Sequence, residues 1–173
     1  MFIMDGLIKF LWSYEFYFSS LLFVGISILT AAVRVFQALY REKLGKPTHY
    51  LIEFLVGILR FAQYVLFVCI GTSTSIHDIL SVNLWDKIFL ALNKITFPEI
   101  IWSIAGFIII FGIYNLILYV IFKKAAIEYL MNKYRITKFP LPSIQQALLL
   151  GFKNLLLIPV SVIYLLNLLN ILS

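Results

Sequence analysis

Arg34, Glu53 and Arg60 carry the chemistry most in need of explanation, because each sits inside an apolar run. The two runs meet across a short basic link, Tyr40-Arg41-Glu42-Lys43-Leu44-Gly45-Lys46-Pro47. If both cross a bilayer, two guanidinium groups and one carboxylate lie in or near its hydrocarbon. Ionisable groups are costly there and face a bundle interior or a wet cavity. The chemistry open to them is that of charge. An arginine paired with a carboxylate holds helices together, whereas one lining a pathway attracts anions or lipid phosphate.

Glu53, Gly57 and Arg60 share one helical face. Glu53 and Arg60 are nevertheless about 10 Å apart along the axis, too far for a direct pair. Antiparallel register about the Gly45 turn sets Arg34 level with position 58, near Arg60, and Glu53 level with position 39. Arg34 has the basic link within reach of snorkelling, and Arg60 does not. Two readings of Arg60 are open: it pairs with Glu53 of another helix or subunit or with helix-end carbonyls, or it lines an anion pathway. Lys153 lies at the start of the last apolar run. Gln146, Lys153, Tyr164 and Asn167 fall in a narrow arc of that helix, and Asn167 has the character of an interhelical hydrogen-bonding group.

A second set of cations, Lys123, Lys124, Lys133, Arg135 and Lys138, faces only Glu128 within its segment. This set reads as a topology determinant in contact with anionic headgroups, or as a docking surface for an acidic cytoplasmic protein. Tyr129, Tyr134 and Phe139 are interleaved with it. Nucleic acid is disfavoured as a partner, since stacking on bases needs an exposed platform that a helix at a membrane does not guarantee.

The elements that must position these residues are helices. The 173 residues are 62% hydrophobic and 13% charged, with a mean hydropathy of +1.00, against about 25% charged residues in soluble domains. The chain is therefore expected to be an all-α, polytopic integral membrane protein with four transmembrane helices in a single membrane domain. Residues 1–15 read as an interfacial helix with a polar stripe. The first span covers 16–44, with Ser20, Ser27, Arg34 and Arg41 recurring every seven residues. Gly45 suits a left-handed helix stop, and Thr48 is the expected cap of a second span over 48–71.

Residues 76–95 form an outer connection with a short interfacial helix capped by Asn83. A third helix over 97–136 starts from a capping-box pattern, Thr96 to Glu99. It runs past Lys123-Lys124 for some 55 Å, well beyond a core of roughly 30 Å. The fourth span, 143–172, is capped by Ser143 and kinked at Pro159. Between the third and fourth helices a basic cytoplasmic hairpin projects.

Other chemistry finds little footing. One cysteine, Cys69, excludes an internal disulfide and a cysteine metal cluster. His49 and His77 have no metal-ligand partner at i+3 to i+5. No hydrolase, zinc-protease or nucleotide-binding motif is present, so neither an enzyme nor a cofactor is implied. The favoured expectation is a homo-oligomeric channel or pore-like module governed from its basic cytoplasmic face. The alternative is a non-conducting anchor or accessory subunit that recruits a cytoplasmic partner or belongs to a larger membrane complex.

Orientation is set by charge. Arg41, Lys43, Lys46, Lys123, Lys124, Lys133, Arg135 and Lys138 fall on one side of the four spans, and only Lys9, Lys87 and Lys94 on the other. The positive-inside rule makes the first side cytoplasmic and both termini outward, in a membrane of the bacterial inner type. In a Cys69→Ser background, cysteine at Lys46 or Lys133 should resist an impermeant thiol reagent in intact cells, and cysteine at Asn83 should react. Labelling at Lys133 with protection at Asn83 would invert the topology.

Overall fold

The fourth apolar run forms the axis on which the other helices lean. In the computed structural model, which describes residues 2–78, 81–93 and 96–172, this run comprises α7 (Leu141–Phe152), a π-helical turn (Lys153–Leu157) and α8 (Ile158–Leu168). Before it come α1 (Phe2–Phe18), α2 (Leu21–Leu39), α3 (Lys46–Gly71), α4 (Val82–Asn93), α5 (Phe97–Ile121) and α6 (Lys124–Tyr134). No strand occurs among the described residues. Four stretches are long and apolar enough to cross a membrane: Leu21–Leu39, Lys46–Gly71, Ile104–Ile121 and Leu141–Leu168.

Helix α2 packs along α7 and the π turn, α1 crosses α8 and α5, and α3 rests mainly on α2. The outward faces are apolar, as lipid contact would require. On α3 they include Leu51, Phe54, Leu55, Ile58 and Phe61, and on α5 Ile108, Ile109, Ile113 and Leu116. Four of the buried residues of α3 (Ile52, Val56, Gln63 and Phe67) share one helical face against the bundle, and Cys69 near its end is buried off that face.

Pro159 explains the π turn's most telling contact. Proline has no N–H to give the carbonyl four residues back, which is that of Leu155. The hydroxyl of the fully buried Tyr17 donates to the Leu155 carbonyl instead, at 2.7 Å. The expected kink at Pro159 is thus a wider turn just before it, in which the Ile158 N–H bonds to the Lys153 carbonyl, five residues back.

Several expected boundaries move. Residues 2–18 form one helix that ends at Ser19-Ser20, packed against α5 and α8: Phe10 meets Phe111 and Tyr114 edge-on. Helix α2 ends at Leu39, because the chain turns at once through bonds from Lys43 and Leu44 N–H to the Tyr40 carbonyl. Gly45 is therefore not a left-handed stop. It is extended (φ −68°, ψ 158°) and stands before α3, which starts at Lys46, ahead of Thr48. Helix α4 begins at Val82, one residue before Asn83, and turns Leu84 inward while Trp85 and Phe89 stay exposed. Lys94 lies outside the described residues.

The long third helix is corrected as well. Helix α5 stops at Ile121, and Lys123 is extended (φ −63°, ψ 151°) before α6. No breaker residue causes this; packing does. Ile127 is buried as α6 folds back on α7, and the Gln145 amide donates to the freed Phe122 carbonyl at 2.9 Å. Arg135 closes α6 in the left-handed conformation. The fourth helix starts at Leu141, with Pro142 in its first turn, two residues before Ser143.

Tyr17→Phe should lower the stability of the detergent-solubilised protein by about 1–3 kcal/mol, the cost of a buried carbonyl left unpaired. Pro159→Ala restores a backbone donor, so the Tyr17→Phe loss measured in that background should shrink. An equal loss in both backgrounds would uncouple Tyr17 from Pro159.

Candidate functional site

Helices α3 and α7 both rest on α2 but touch one another little. The gap between them is a cavity of about 390 Å³. Its lining includes Arg34, Gln37 and Arg41 from α2 and the following turn, His49, Glu53 and Arg60 from α3, and Gln146, Lys153 and Asn154 from α7 and the π turn. Four of the five intramembrane residues singled out from the sequence (Arg34, Glu53, Arg60 and Lys153) thus share one cleft. Asn167 does not, because it lies near the far end of α8, partly exposed.

Arg34 grips Glu53 with both terminal nitrogens. Nη1 donates to Oε1, and Nη2 donates to Oε2 at 2.8 Å. The register read from the sequence places Arg34 beside Arg60 instead. The register shifts because α2 ends at Leu39 and α3 begins at Lys46, which brings Arg34 level with position 51 and so beside Glu53. Gln37, itself buried, completes the group: its Oε1 accepts from Arg34 Nη1 at 2.7 Å, and its amide donates to Glu53 at 3.0 Å. His49 closes the outer edge, with Nε2 3.2 Å from the Arg41 carbonyl and Nδ1 3.4 Å from the Gln37 amide. A neutral ring donating from Nε2 and accepting at Nδ1 satisfies both contacts.

Arg60 does not meet Glu53 through any hydrogen bond. Its Nη2 donates to Asn154 Oδ1 at 2.6 Å. Asn154 is 3% exposed and is held in turn by its own amide, which donates to the Leu150 carbonyl at 2.7 Å. Arg41 reaches Gln146 more loosely, at 3.4 Å. The Nε atoms of Arg34 and Arg60 are buried without a hydrogen-bond partner, so neither guanidinium is fully satisfied by protein.

Electrostatically the cleft is lopsided. Arg34, Arg41, Arg60 and Lys153 oppose the lone Glu53 carboxylate, an excess of three positive charges. Gln37, Asn154 and Gln146 orient three of those cations without neutralising them. Directly beyond the cleft the bundle is sealed: the Gln63 amide donates to the Phe23 carbonyl and Ser27 hydroxyl, with Phe23, Phe67 and Val160 fully packed around that level.

The other candidates read from the sequence lie elsewhere. Lys123, Lys124, Lys133, Arg135 and Lys138 are all exposed around α6. Lys133 lies over Tyr134 and Lys138 over Phe139. The arc of Gln146, Lys153, Tyr164 and Asn167 is split, because a π turn adds a residue and rotates the rest of the helix by roughly 100°. Gln146 and Lys153 face the cleft, whereas Tyr164 packs on Phe107 and Phe111.

Asn154 is, with Gln37, a site residue that sequence reasoning misses. Its only signal is a polar side chain beside Lys153 in an apolar run. A larger cavity of about 600 Å³ between Thr72, Lys87, Ala91 and Asn170 holds a single charge and no comparable constellation. Among the described residues no three His, Cys, Asp or Glu side chains gather as a metal would require.

Arg60→Gln should destabilise the protein through Asn154. The charge-assisted bond is worth about 1.5–3 kcal/mol, and most of it should vanish when the same substitution is made in Asn154→Leu. Glu53→Gln should couple to Arg60→Gln far more weakly. A stronger coupling to Glu53 than to Asn154 in these double-mutant cycles would contradict the geometry.

No known protein family, curated protein or solved structure matches the chain, so the reading of this cleft rests on its own geometry.

Proposed function

We propose that the chain is a membrane module that takes an anionic group into the cleft between α2, α3 and α7. One observation carries this reading: four cations surround a cavity that contains one carboxylate. Uncompensated charge inside an apolar bundle is expensive. An anion entering the cleft lowers that cost, and a neutral solute does not. The mouth lies beside Arg41 and His49, next to the basic link. With both termini outward, that mouth faces the cytoplasm, and the exposed cations around α6 lie on the same side, against anionic headgroups.

The channel reading is kept in a narrower form. Phe23, Phe67, Val160 and the Gln63 bond network close the single bundle beyond Arg60. A conducting path therefore needs further copies of the chain. The broad apolar faces of α3 and α5 are available to them, as they are to lipid. The non-conducting alternative rests on the exposed basic segment 123–138, a surface suited to an acidic cytoplasmic protein.

Anion binding to the purified protein should weaken at least tenfold in Arg60→Gln and in Arg34→Gln. It should change less than twofold in Lys133→Gln and Lys138→Gln. Equal weakening by the α6 substitutions would move the site to the surface. Anion flux in liposomes reconstituted with an oligomer, reduced by Arg60→Gln, would support the pore; binding without flux would leave the module non-conducting.

A further inference from the structure

We infer that the cleft is a phosphate site whose resting occupant is the Glu53 carboxylate, displaced from Arg34 when a phosphate group enters. The inference rests on the anion-binding reading above and names its ligand and its internal competitor. Arg34 presents two parallel N–H donors to two oxygens of Glu53. That fork fits a carboxylate or two oxygens of a phosphate equally well, and it fits a spherical halide poorly.

Glu53 is the partner free to leave. Its side chain is 52% exposed, against 13% for Arg34. It lines the same cavity as Arg41 and His49 at the mouth, which gives it a polar direction in which to turn, whereas Arg34 is largely enclosed. Arg34 also keeps its place without Glu53, because Gln37 Oε1 still accepts from Nη1. Across the cleft, Arg60 is fixed by Asn154 and Asn154 by the Leu150 carbonyl. Both guanidinium groups are thus held by neutral amides, which set direction and leave charge available.

Charge then selects among oxyanions. With Glu53 turned out, the cleft holds Arg34, Arg41, Arg60 and Lys153. A doubly charged phosphate offsets twice what a carboxylate does against these four cations. The ligand class is therefore a phosphate or phosphomonoester. The open gap between α3 and α7 admits it from the aqueous mouth as a free ion, or sideways as the headgroup of a phosphomonoester lipid.

The test uses the full chain in detergent, with calorimetric titration of inorganic phosphate, acetate, chloride and a water-soluble short-chain phosphatidic acid. Wild type should bind phosphate at least tenfold more tightly than acetate or chloride. Glu53→Gln should bind phosphate roughly tenfold more tightly than wild type, because the competitor is gone. Arg34→Lys, which keeps the charge but loses the fork, should bind it at least fivefold more weakly. If Glu53→Gln does not fold, Glu53→Asp draws the carboxylate back by one methylene and should likewise tighten binding.

Tenfold preference for the short-chain lipid over inorganic phosphate assigns the lipid as source, and equal affinity assigns the free ion. Phosphate binding that is unchanged or weaker in both Glu53 variants overturns the inference while leaving anion binding intact, as does acetate binding as tightly as phosphate. Absence of any anion binding to wild type overturns both.

Discussion

Excess positive charge inside an apolar bundle is the constraint on which the interior of this protein turns. Arg34, Arg60 and Lys153 are half-buried behind the apolar outer faces of the helices, and Arg41 stands exposed at the edge of the cleft. None of them has a private carboxylate except Arg34. A buried charge without a full partner costs several kcal/mol after relaxation. The fold answers with amides: Gln37, Asn154 and Gln146 each accept from one guanidinium. Amide acceptors cut the cost of burying a donor but leave the field of the cation in place. A bundle built only for stability would be expected to supply carboxylates or omit the arginines. The cations are instead held in fixed directions without being cancelled, and the proposed anion binding rests on that property.

The same need to satisfy backbone groups explains how the fourth helix shapes that cleft. Pro159 removes one donor from α8, and Tyr17 on α1 replaces it at the Leu155 carbonyl. The π turn over Lys153–Leu157 lies immediately before that proline and widens the helix where it meets α2. Asn154 sits in this wider turn, buried and within 2.6 Å of Arg60. A proline on one helix, a tyrosine on another and an arginine on a third are thereby joined through one short irregular segment. Turns of this kind recur at functional sites because they aim a side chain that a regular helix would point elsewhere.

Legibility in the sequence is governed by local chemistry. Four apolar runs and the anomalous Arg34, Glu53, Arg60 and Lys153 can be read directly, since composition and charge are independent of packing. Which cation meets which partner cannot, because that depends on register. Register depends on a link that runs from Tyr40 to Gly45, where the sequence suggests a tighter one around Gly45. The break between α5 and α6 is equally hidden. Lys123-Lys124 carries no breaker, and the bend is stabilised from a distance by Ile127 against α7 and by Gln145 on the Phe122 carbonyl. Asn154 escapes notice for the same reason: its role exists only once the π turn has rotated it toward α3.

The bundle is also asymmetric along its length. On one side of Arg60 lies a polar gap open toward the basic link; on the other, Gln63 binds Phe23 and Ser27 inside a packed aromatic layer. The Gln63 amide is fully engaged there and 2% exposed, so it seals and does not receive. A polar group that commits its donors to its neighbours closes a gap, whereas Arg34 and Arg60 line one. The two layers are close in the chain, with Gln63 only one turn beyond Arg60 on α3. The change from receptive to sealed therefore occurs within about 5 Å of helix axis. In a single copy the cleft is consequently closed beyond Arg60, and the proposed pore would need a rearranged Gln63 layer or the faces of neighbouring chains.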